Sequence, residues 1–354
     1  MVDLIGLLMS AAPTLTNPIG KIIYWMYEGI GNFGWTVVVF TIALKLVLSP
    51  LDFWQKAVTR KNNKALKRMK PELEKLKKTF GANQQVMQQK QMELYKKEGY
   101  SMLGSCLPTL ITLLMFFVIF GGFNAAVKYE NQMLVYNLAE VYQVEVIDAG
   151  ITDVDTMDEI MLDAYNKSKV NQKWLWVENV FMADSWADVV PSVDTYVGSG
   201  LGKLNARLPE NANFPVPSKY EGSVYNALLG PAIQVYNKTK FFDLKHWNGY
   251  LILPLLSVVL SLLSNKLMKG SQPEQPPQYD AQGKEVNTAN SMKYMTMLMP
   301  VMIGVFAVFY SAAFSIYMFT NSLITVLFNL GYNVITGKVD KKEEEMVLRT
   351  TFKR

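Results

Sequence analysis

The sequence predicts an all-α polytopic membrane protein, and three observations carry this prediction. Half of the 354 residues are hydrophobic, 20 are Met, and the charged residues stand in blocks, whereas a soluble domain mixes charges over its surface. A helix of about 20 apolar residues is long enough to cross a bilayer. Five windows of this kind lie at about 32–51, 103–123, 247–265, 294–311 and 313–335. The last two predict a tight helical hairpin.

The N-terminal segment, 1–31, is predicted to be external and amphipathic. Asn17 followed by Pro18 is typical of a helix start, and apolar residues then recur at helical spacing: Ile19, Ile22, Ile23, Met26 and Tyr27. Two interpretations stay open, a helix lying on the outer membrane surface or a simple extension of the first span, although the glycines at 29, 31 and 34 favour a break. No Lys or Arg precedes the apolar residues 1–12, so we predict no signal peptide.

Lys45 lies in the middle of the first window, 32–51. A lysine at the bilayer centre costs roughly 2.5–3.5 kcal/mol even on low scales, and a nearby Thr41 or Ser49 does not offset that cost. We therefore expect its side chain to face water inside the protein. The alternative is a lysine that snorkels to the interface, which requires a position within a turn or two of the end of the span.

Segment 52–102 is predicted to form an antiparallel cytoplasmic helical hairpin. The spacing of three and four residues typical of a coiled-coil seam is found at Leu66, Met69, Leu73, Leu76 and Phe80. A break follows at 81–83, and a weaker apolar stripe predicts the second helix. A basic contact surface is predicted at Lys67, Arg68, Lys70, Lys75, Lys77 and Lys78. These residues favour contact with anionic lipid, although a solvated orientation signal also explains them.

Charge predicts the orientation of the spans. Segment 52–102 carries 13 Lys or Arg against 5 Asp or Glu, and segment 124–246 carries 10 against 16. Because Lys and Arg are enriched on the cytoplasmic side, the first segment is predicted to be cytoplasmic and the second external. Long loops obey that rule weakly, so the prediction of orientation depends on the count for segment 52–102. Threading the spans then puts the loop 266–293 and the tail 336–354 in the cytoplasm and the N-terminus outside.

The acidic external segment, 124–246, is too long for a bare loop. Helical patterns occur at 130–147, 153–167 and 220–238, and a stretch rich in Gly and Pro, from Pro191 to Pro217, separates them. We expect a small accessory domain in which no site is recognisable.

Several chemistries are missing from the sequence. No GxxxxGK[ST] motif occurs, so ATP is not expected to drive the protein. With one histidine, His246, and one cysteine, Cys106, the chain predicts no metal site, no Cys-His nucleophile and no disulfide. The predicted spans contain no Asp or Glu, which argues against an aspartyl intramembrane protease. We expect a protein that is not an enzyme and needs no cofactor.

Lys45 is thus an intramembrane cation among weak polar groups. Candidates to face it are Thr112 on the second span and Ser315, Thr320, Asn321, Ser322 and Thr325 on the fifth. Together they predict a hydrophilic groove open to the cytoplasm. Taken singly, each is better explained by ordinary hydrogen bonding between packed helices.

At this point the order of parts resembles the YidC/Oxa/Alb family of membrane protein insertases, in the five-span form of Gram-positive bacteria. The matching strings are TIALKLVLSPL, MKPELEKLKKTFG, QQKQMELYKKEG, SCLPTLITLLMFF, WLWVENVFMADSW, LILPLLSVVLSLLSNKL, MKYMTMLMPVM and IYMFTNSLIT. They cover most of residues 17–335 apart from a large part of the external segment. Lys45 stands where the family usually carries arginine, Thr112 replaces a usual glutamine, and Ser311 and Ala313 replace the usual Pro and Gly.

The resemblance implies a mechanism in which a positively charged groove, closed to the outside, receives the hydrophilic part of a client protein. The client's apolar segment then passes into the bilayer along the lipid-facing side. The implied groove residues are Lys45, Thr112, Tyr317, Asn321, Ser322 and Thr325. Implied partners are nascent membrane proteins, anionic lipids and, as open questions, the Sec translocon and the ribosome; no DNA is implied, and the location is the bacterial cell membrane.

Two other functions stay open. The first is an anion or solute transporter that uses Lys45 as the substrate-binding charge, which internal repeats or paired broken spans would favour; neither is visible. The second is a membrane anchor for the acidic external domain, which leaves the basic hairpin without a task.

Overall fold

The computed structural model describes residues 13–80, 83–169, 171–192, 218–220, 224–268, 278–279, 285–286 and 288–351. Its helices are α1 (Pro18–Ile30), α2 (Phe33–Phe80), α3 (Gln84–Glu98), α4 (Met102–Val141), α5 (Val154–Lys169), α6 (Val224–Tyr236), α7 (Ile252–Leu267), α8 (Thr288–Phe309) and α9 (Ala312–Thr351). A π-helical turn, Tyr142–Ile147, extends α4, and short 3-10 turns lie at Ser218–Tyr220 and Leu244–His246. Two short strands, β1 (Gln278–Tyr279) and β2 (Glu285–Val286), pair antiparallel with Gln278 opposite Val286. The predicted helical class is confirmed.

Three helices of the described residues are long and apolar enough to cross a membrane: Phe33–Phe80, Leu113–Ile147 and Ala312–Gly337. They overlap the first, second and fifth predicted windows. Two shorter apolar helices, Ile252–Leu267 and Met297–Phe309, overlap the third and fourth windows. The number of five spans stays a prediction.

The first helix begins where the sequence predicts. Asn17 is the N-cap of α1, and its side-chain oxygen accepts a hydrogen bond from the Gly20 N–H at 2.9 Å. Gly31, with φ of 76°, ends the helix, and its N–H donates to the Tyr27 carbonyl. Since α1 ends at Ile30 and α2 starts at Phe33, the chain has the break that the glycines favour. The position of α1 on the outer membrane surface stays a prediction.

Helix α2 runs through Pro50 without interruption. Proline has no N–H, so the carbonyl four residues earlier, that of Leu46, loses its helical donor. The Ser49 hydroxyl donates to this Leu46 oxygen at 2.8 Å and satisfies it inside an apolar stretch. The same helix therefore holds the first predicted span and the first arm of the predicted hairpin, and residue 52 is not a helix end.

The chain divides into two compact units, each built from segments far apart in sequence. The first contains Met1–Thr41, Phe117–Leu256 and Gly304–Thr320. The second contains Ile42–Phe116, Ser257–Ile303 and Asn321–Arg354.

In the first unit, the region 124–246 has its own apolar core. Helices α5 and α6 correspond to two of the helical patterns seen in the sequence, and they pack with the end of α4. The core includes Leu138, Tyr142, Met161, Tyr165, Tyr225 and Leu228. Residues 193–217, which include most of the Gly- and Pro-rich stretch, lie outside the described part of the chain.

Residues 171–190 form what we call the capping segment, because it accepts hydrogen bonds from the beginnings of three helices. At α2, the Phe33 N–H donates to the Asn171 carbonyl at 3.4 Å. At α9, the N–H groups of Ala312 and Ala313 donate to the carbonyls of Met182 and Val180 at 2.6 and 2.8 Å. The first N–H groups of a helix have no partner within it, so these bonds satisfy donors that would otherwise be orphaned.

Helix α7 is capped by a carboxylate of the same segment. Asp184 accepts from the Leu253 N–H at 2.8 Å through Oδ2 and from the Tyr250 N–H at 2.9 Å through Oδ1. Gly249 permits this approach, because a Cβ there would lie 2.0 Å from Asp184 Oδ1. Burial raises the pKa of Asp184, against the opposing effect of these N–H bonds. A negative group at the start of a helix is also favoured by the helix dipole.

Candidate functional site

Lys45 has an ionic partner on its own helix. Its Nζ lies 2.8 Å from Asp52 Oδ2, and the two side chains are 14% and 25% exposed. Seven residues make about two helical turns, so both side chains project from the same face of α2. The charge of the lysine is thus compensated inside the second unit.

Asp52 is the residue that sequence reasoning missed. It stands one position beyond the first predicted window and was assigned to the hairpin. Its signal was the spacing of seven residues on a helix that does not end at Pro50. The absence of carboxylates from the predicted spans is true of their stated limits, but Asp52 reaches back to the cation within them.

A second lysine, Lys56, joins three helices of the same unit. Its Nζ donates to Asn329 Oδ1 on α9 at 2.7 Å, and Asn329 Nδ2 donates to Ser264 Oγ on α7 at 2.7 Å. The cation also lies 5.5 Å from the ring centroid of Phe53 and 5.2 Å from that of Tyr332, within the range of cation–π attraction. Asn329 is 2% exposed, so this polar chain runs through a buried contact between α2, α9 and α7.

Three of the predicted groove residues lie on α9 in the second unit. Ser322 is buried, and its hydroxyl lies 3.0 Å from that of Ser261 on α7. Thr325 donates to the Asn321 carbonyl of its own helix at 2.7 Å, and Asn321 is half-buried. The contact of Ser322 with Ser261 is one of helix packing, as the sequence favours for each residue taken singly, whereas the Thr325 hydroxyl bonds within its own helix.

The remaining two predicted groove residues are placed differently. Tyr317 belongs to the first unit, where it is 6% exposed and its ring centroid lies 5.2 Å from that of Phe123. Thr112 lies on α4, but its side chain is outside the described residues. The described contacts therefore do not join all six residues in one site.

The arms of the hairpin pack through four of the five predicted seam residues; the fifth, Phe80, is half-buried and does not belong to the buried cluster. The buried cluster contains Ala65, Leu66, Met69, Leu73, Leu94, Tyr95 and Tyr100, with Leu76 partly buried against it. The Asn62 side chain fastens the base, donating to the Ser101 carbonyl at 2.9 Å and accepting from the Ser101 N–H at 3.3 Å. Of the predicted contact surface, Lys77 is half-buried and the other five are exposed: Lys67, Arg68, Lys70, Lys75 and Lys78.

Acidic side chains partly neutralise the positive charge of the hairpin. Arg68 Nε lies 3.8 Å from Glu98 Oε2. An open depression between α2 and α3 is lined by Glu72, Lys75, Lys90, Glu93 and Lys97, among others. Lys90 and Glu93 form an ion pair at 2.8 Å. No group of three or more His, Cys, Asp or Glu suited to a metal ion occurs among the residues that the structure describes.

Comparison with known proteins shows which family the chain resembles. The family described as "60Kd inner membrane protein" matches residues 25–196 and 222–338, which is most of the chain. Curated relatives named "Membrane protein insertase YidC" include one from Stutzerimonas stutzeri, 36% identical over 106 residues, covering 29% of this chain and 18% of the relative. Another, from Fusobacterium nucleatum, is 37% identical over 98 residues, covering 28% of this chain and 46% of the relative.

A third relative of that name, from Roseobacter denitrificans, is 37% identical over 106 residues, covering 30% of this chain and 17% of the relative. The chain therefore spans less than half the length of each of these three relatives. The family match extends over both compact units, from α1 to α9. On this match, the chain belongs to the 60Kd inner membrane protein family, the YidC/Oxa/Alb family.

Proposed function

We propose that this protein is a membrane protein insertase and chaperone of the bacterial cell membrane. It takes the hydrophilic segment of a nascent membrane protein into a positively charged intramembrane groove and releases the apolar segment into the bilayer. The observation that carries this proposal is Lys45, a mostly buried cation within an apolar stretch of α2, in a chain of this family. The relatives named as insertases support the same function.

Insertion requires no bond-making chemistry. Transfer of apolar surface from water to hydrocarbon releases about 25 cal/mol per Å², so a client segment of about 20 apolar residues supplies its own driving force. What the client lacks is a path for its polar flank. A carboxylate on that flank moves outward with the membrane potential, which contributes about 2.3 kcal/mol per charge per 100 mV. A cation part-way across lowers the barrier to that movement.

The groove is lined by Lys45, Thr112, Tyr317, Asn321, Ser322 and Thr325 in this proposal. Lysine keeps the positive charge that the family usually places there as arginine, but it lacks the planar fork of five donors. It therefore acts as a point charge and does not hold a carboxylate through two parallel bonds. The range of clients is expected to follow their charge more than their shape.

The proposed topology has five spans, an external N-terminus and a cytoplasmic C-terminus. The hairpin then lies in the cytoplasm, where its exposed lysines contact anionic headgroups and meet arriving clients. The Sec translocon and the ribosome are candidate partners for large clients. The acidic region of α5 and α6 lies outside the cell in this arrangement.

The test is insertion of a small single-span client into proteoliposomes that contain only this protein, scored by protection from added protease. Lys45→Arg is expected to retain insertion, and Lys45→Ala is expected to reduce it for clients with a charged flank. Equal activity of all three proteins would refute the charged groove. No insertion above empty liposomes would remove autonomous insertion and direct the next assay to Sec-dependent clients and then to anion transport.

A further inference from the structure

The pair of Lys45 and Asp52 has a consequence for which clients the groove accepts. Both residues belong to α2, and the distance of 2.8 Å between Nζ and Oδ2 is that of a hydrogen-bonded ion pair. The positive charge that would attract a client is therefore already compensated at rest. A client carboxylate that binds Lys45 then competes with the carboxylate of Asp52 for the same ammonium group.

The two side chains differ in how readily they leave the pair. Asp52 is the more exposed, at 25% against 14%, and it stands at the end of the apolar stretch, after Pro50. Its carboxylate regains water when it swings away, whereas the Lys45 side chain is 14% exposed and lies within the apolar stretch of α2. A buried lysine stripped of its partner is unfavourable, so the incoming group has to replace what Asp52 supplied.

From this geometry we propose that Asp52 is a specificity-determining residue, a carboxylate of the protein itself that competes with carboxylates of the client for Lys45. The inference rests on the proposed function and names its substrate class: clients whose translocated flank carries Asp or Glu. A client carboxylate exchanges for Asp52 one for one and leaves Lys45 paired. A neutral flank offers no such exchange and passes without using the cation.

The experiment compares four proteins in proteoliposomes: the natural chain, Asp52→Asn, Lys45→Gln/Asp52→Asn and Glu72→Gln. Glu72 is an exposed carboxylate of the same basic segment, so its replacement is a control for net charge. Two clients are used that differ only by Asp or Asn at one position of the translocated flank. Initial insertion rates are measured, together with equilibrium binding of each client peptide to the proteins in nanodiscs.

Asp52→Asn is expected to speed insertion of the Asp client about three- to fivefold and to change the Asn client less than about twofold, as expected for loss of a competing ion pair at a partly exposed site. Binding of the Asp client should tighten by a similar factor. The double variant should lose both gains because the cation is gone, and Glu72→Gln should match the natural chain.

Three outcomes would overturn the role of Asp52 while leaving the insertase intact. They are an equal slowing of both clients by Asp52→Asn, unchanged rates for both, or a gain that persists in the double variant. If the natural chain inserts neither client above empty liposomes, the proposed function falls, and the inference falls with it.

Discussion

The side chain of Asn248 bonds both backbone groups of Asn179. Its Oδ1 accepts from the Asn179 N–H at 2.7 Å, and its Nδ2 donates to the Asn179 carbonyl at 2.9 Å. The same Nδ2 donates to the carbonyl of Ala183 at 2.8 Å. Asn248 is fully buried. Its side chain bonds the backbone of Asn179 as a neighbouring β-strand would, and it joins the capping segment to the residues that precede α7.

Asn248→Ala is expected to destabilise the protein by about 1–3 kcal/mol, because the buried Asn179 N–H loses its acceptor. The carbonyls of Asn179 and Ala183 each lose one donor but keep the N–H groups of Met182 and Ser185. Thermal unfolding in detergent, followed by tryptophan fluorescence, measures the change. Asn137→Ala, on an exposed position of α4, is the matched control and should leave the unfolding temperature nearly unchanged. Equal shifts for the two variants would contradict the assigned role.

Asp184→Asn tests the capping of α7. An amide has one oxygen where the carboxylate has two, so it cannot accept from both Tyr250 and Leu253 in the present geometry. We expect a loss of about 1–3 kcal/mol in unfolding free energy. Asp188→Asn is the control, since Asp188 forms its ion pair with Lys238 and is 35% exposed. An Asp184 variant as stable as the natural chain would show that the carboxylate does not cap the helix.

Glu178 is expected to make stability depend on acidity. Burial pushes its pKa upward, but hydrogen bonds and charge from Lys173 and Lys169 outweigh burial and hold the pKa below its usual value. A Glu side chain in the unfolded chain has a pKa of about 4.3. Because the folded pKa is lower, the stabilisation is present above that pH and is lost as pH falls through the folded value. Unfolding temperatures of the natural chain and Glu178→Gln should therefore differ at pH 7 and converge as the pH falls below the folded pKa of Glu178; a constant difference would refute this.

Adjacent glycines of α4 provide an internal comparison of packing. A Cβ at Gly122 would lie 2.4 Å from Ile19 Cγ2 of α1, whereas a Cβ at Gly121 meets nothing within 4 Å. The branched side chain of Ile19 is stiff, so α1 has to move. Gly122→Ala is expected to cost about 1–3 kcal/mol, and Gly121→Ala to be neutral or stabilising by up to about 1 kcal/mol. The reverse order of unfolding temperatures would contradict the packing of α1 on α4.

The features that the sequence predicted correctly depend on local spacing. Asn17 and Pro18 mark the start of α1 because capping involves residues three positions apart, and Leu66, Met69 and Leu73 mark the seam because helical periodicity repeats within one element. These signals need no knowledge of the rest of the fold.

The features that were missed depend on distant or unusual partners. Asp52 lies two turns from Lys45, beyond the usual spacing of three or four residues, and a boundary drawn by hydropathy separated the two. The capping segment has no periodic pattern of apolar residues. Its backbone carbonyls accept hydrogen bonds whatever the side chains are, so no sequence pattern predicts these bonds. Its string WLWVENVFMADSW resembles the family, but that resemblance does not reveal that Asp184 accepts a hydrogen bond from the start of α7.

The capping segment also sets an order on the protein's own synthesis. Its donors extend from Phe33, near the beginning of the chain, to Ala312 and Ala313, which are made after nearly nine tenths of the chain. Because a ribosome produces residues in sequence, the carbonyls of Met182 and Val180 lack these two donors until the start of α9 has been made. Completion of this cap is therefore a late event in biogenesis, and a chain arrested before residue 312 lacks it.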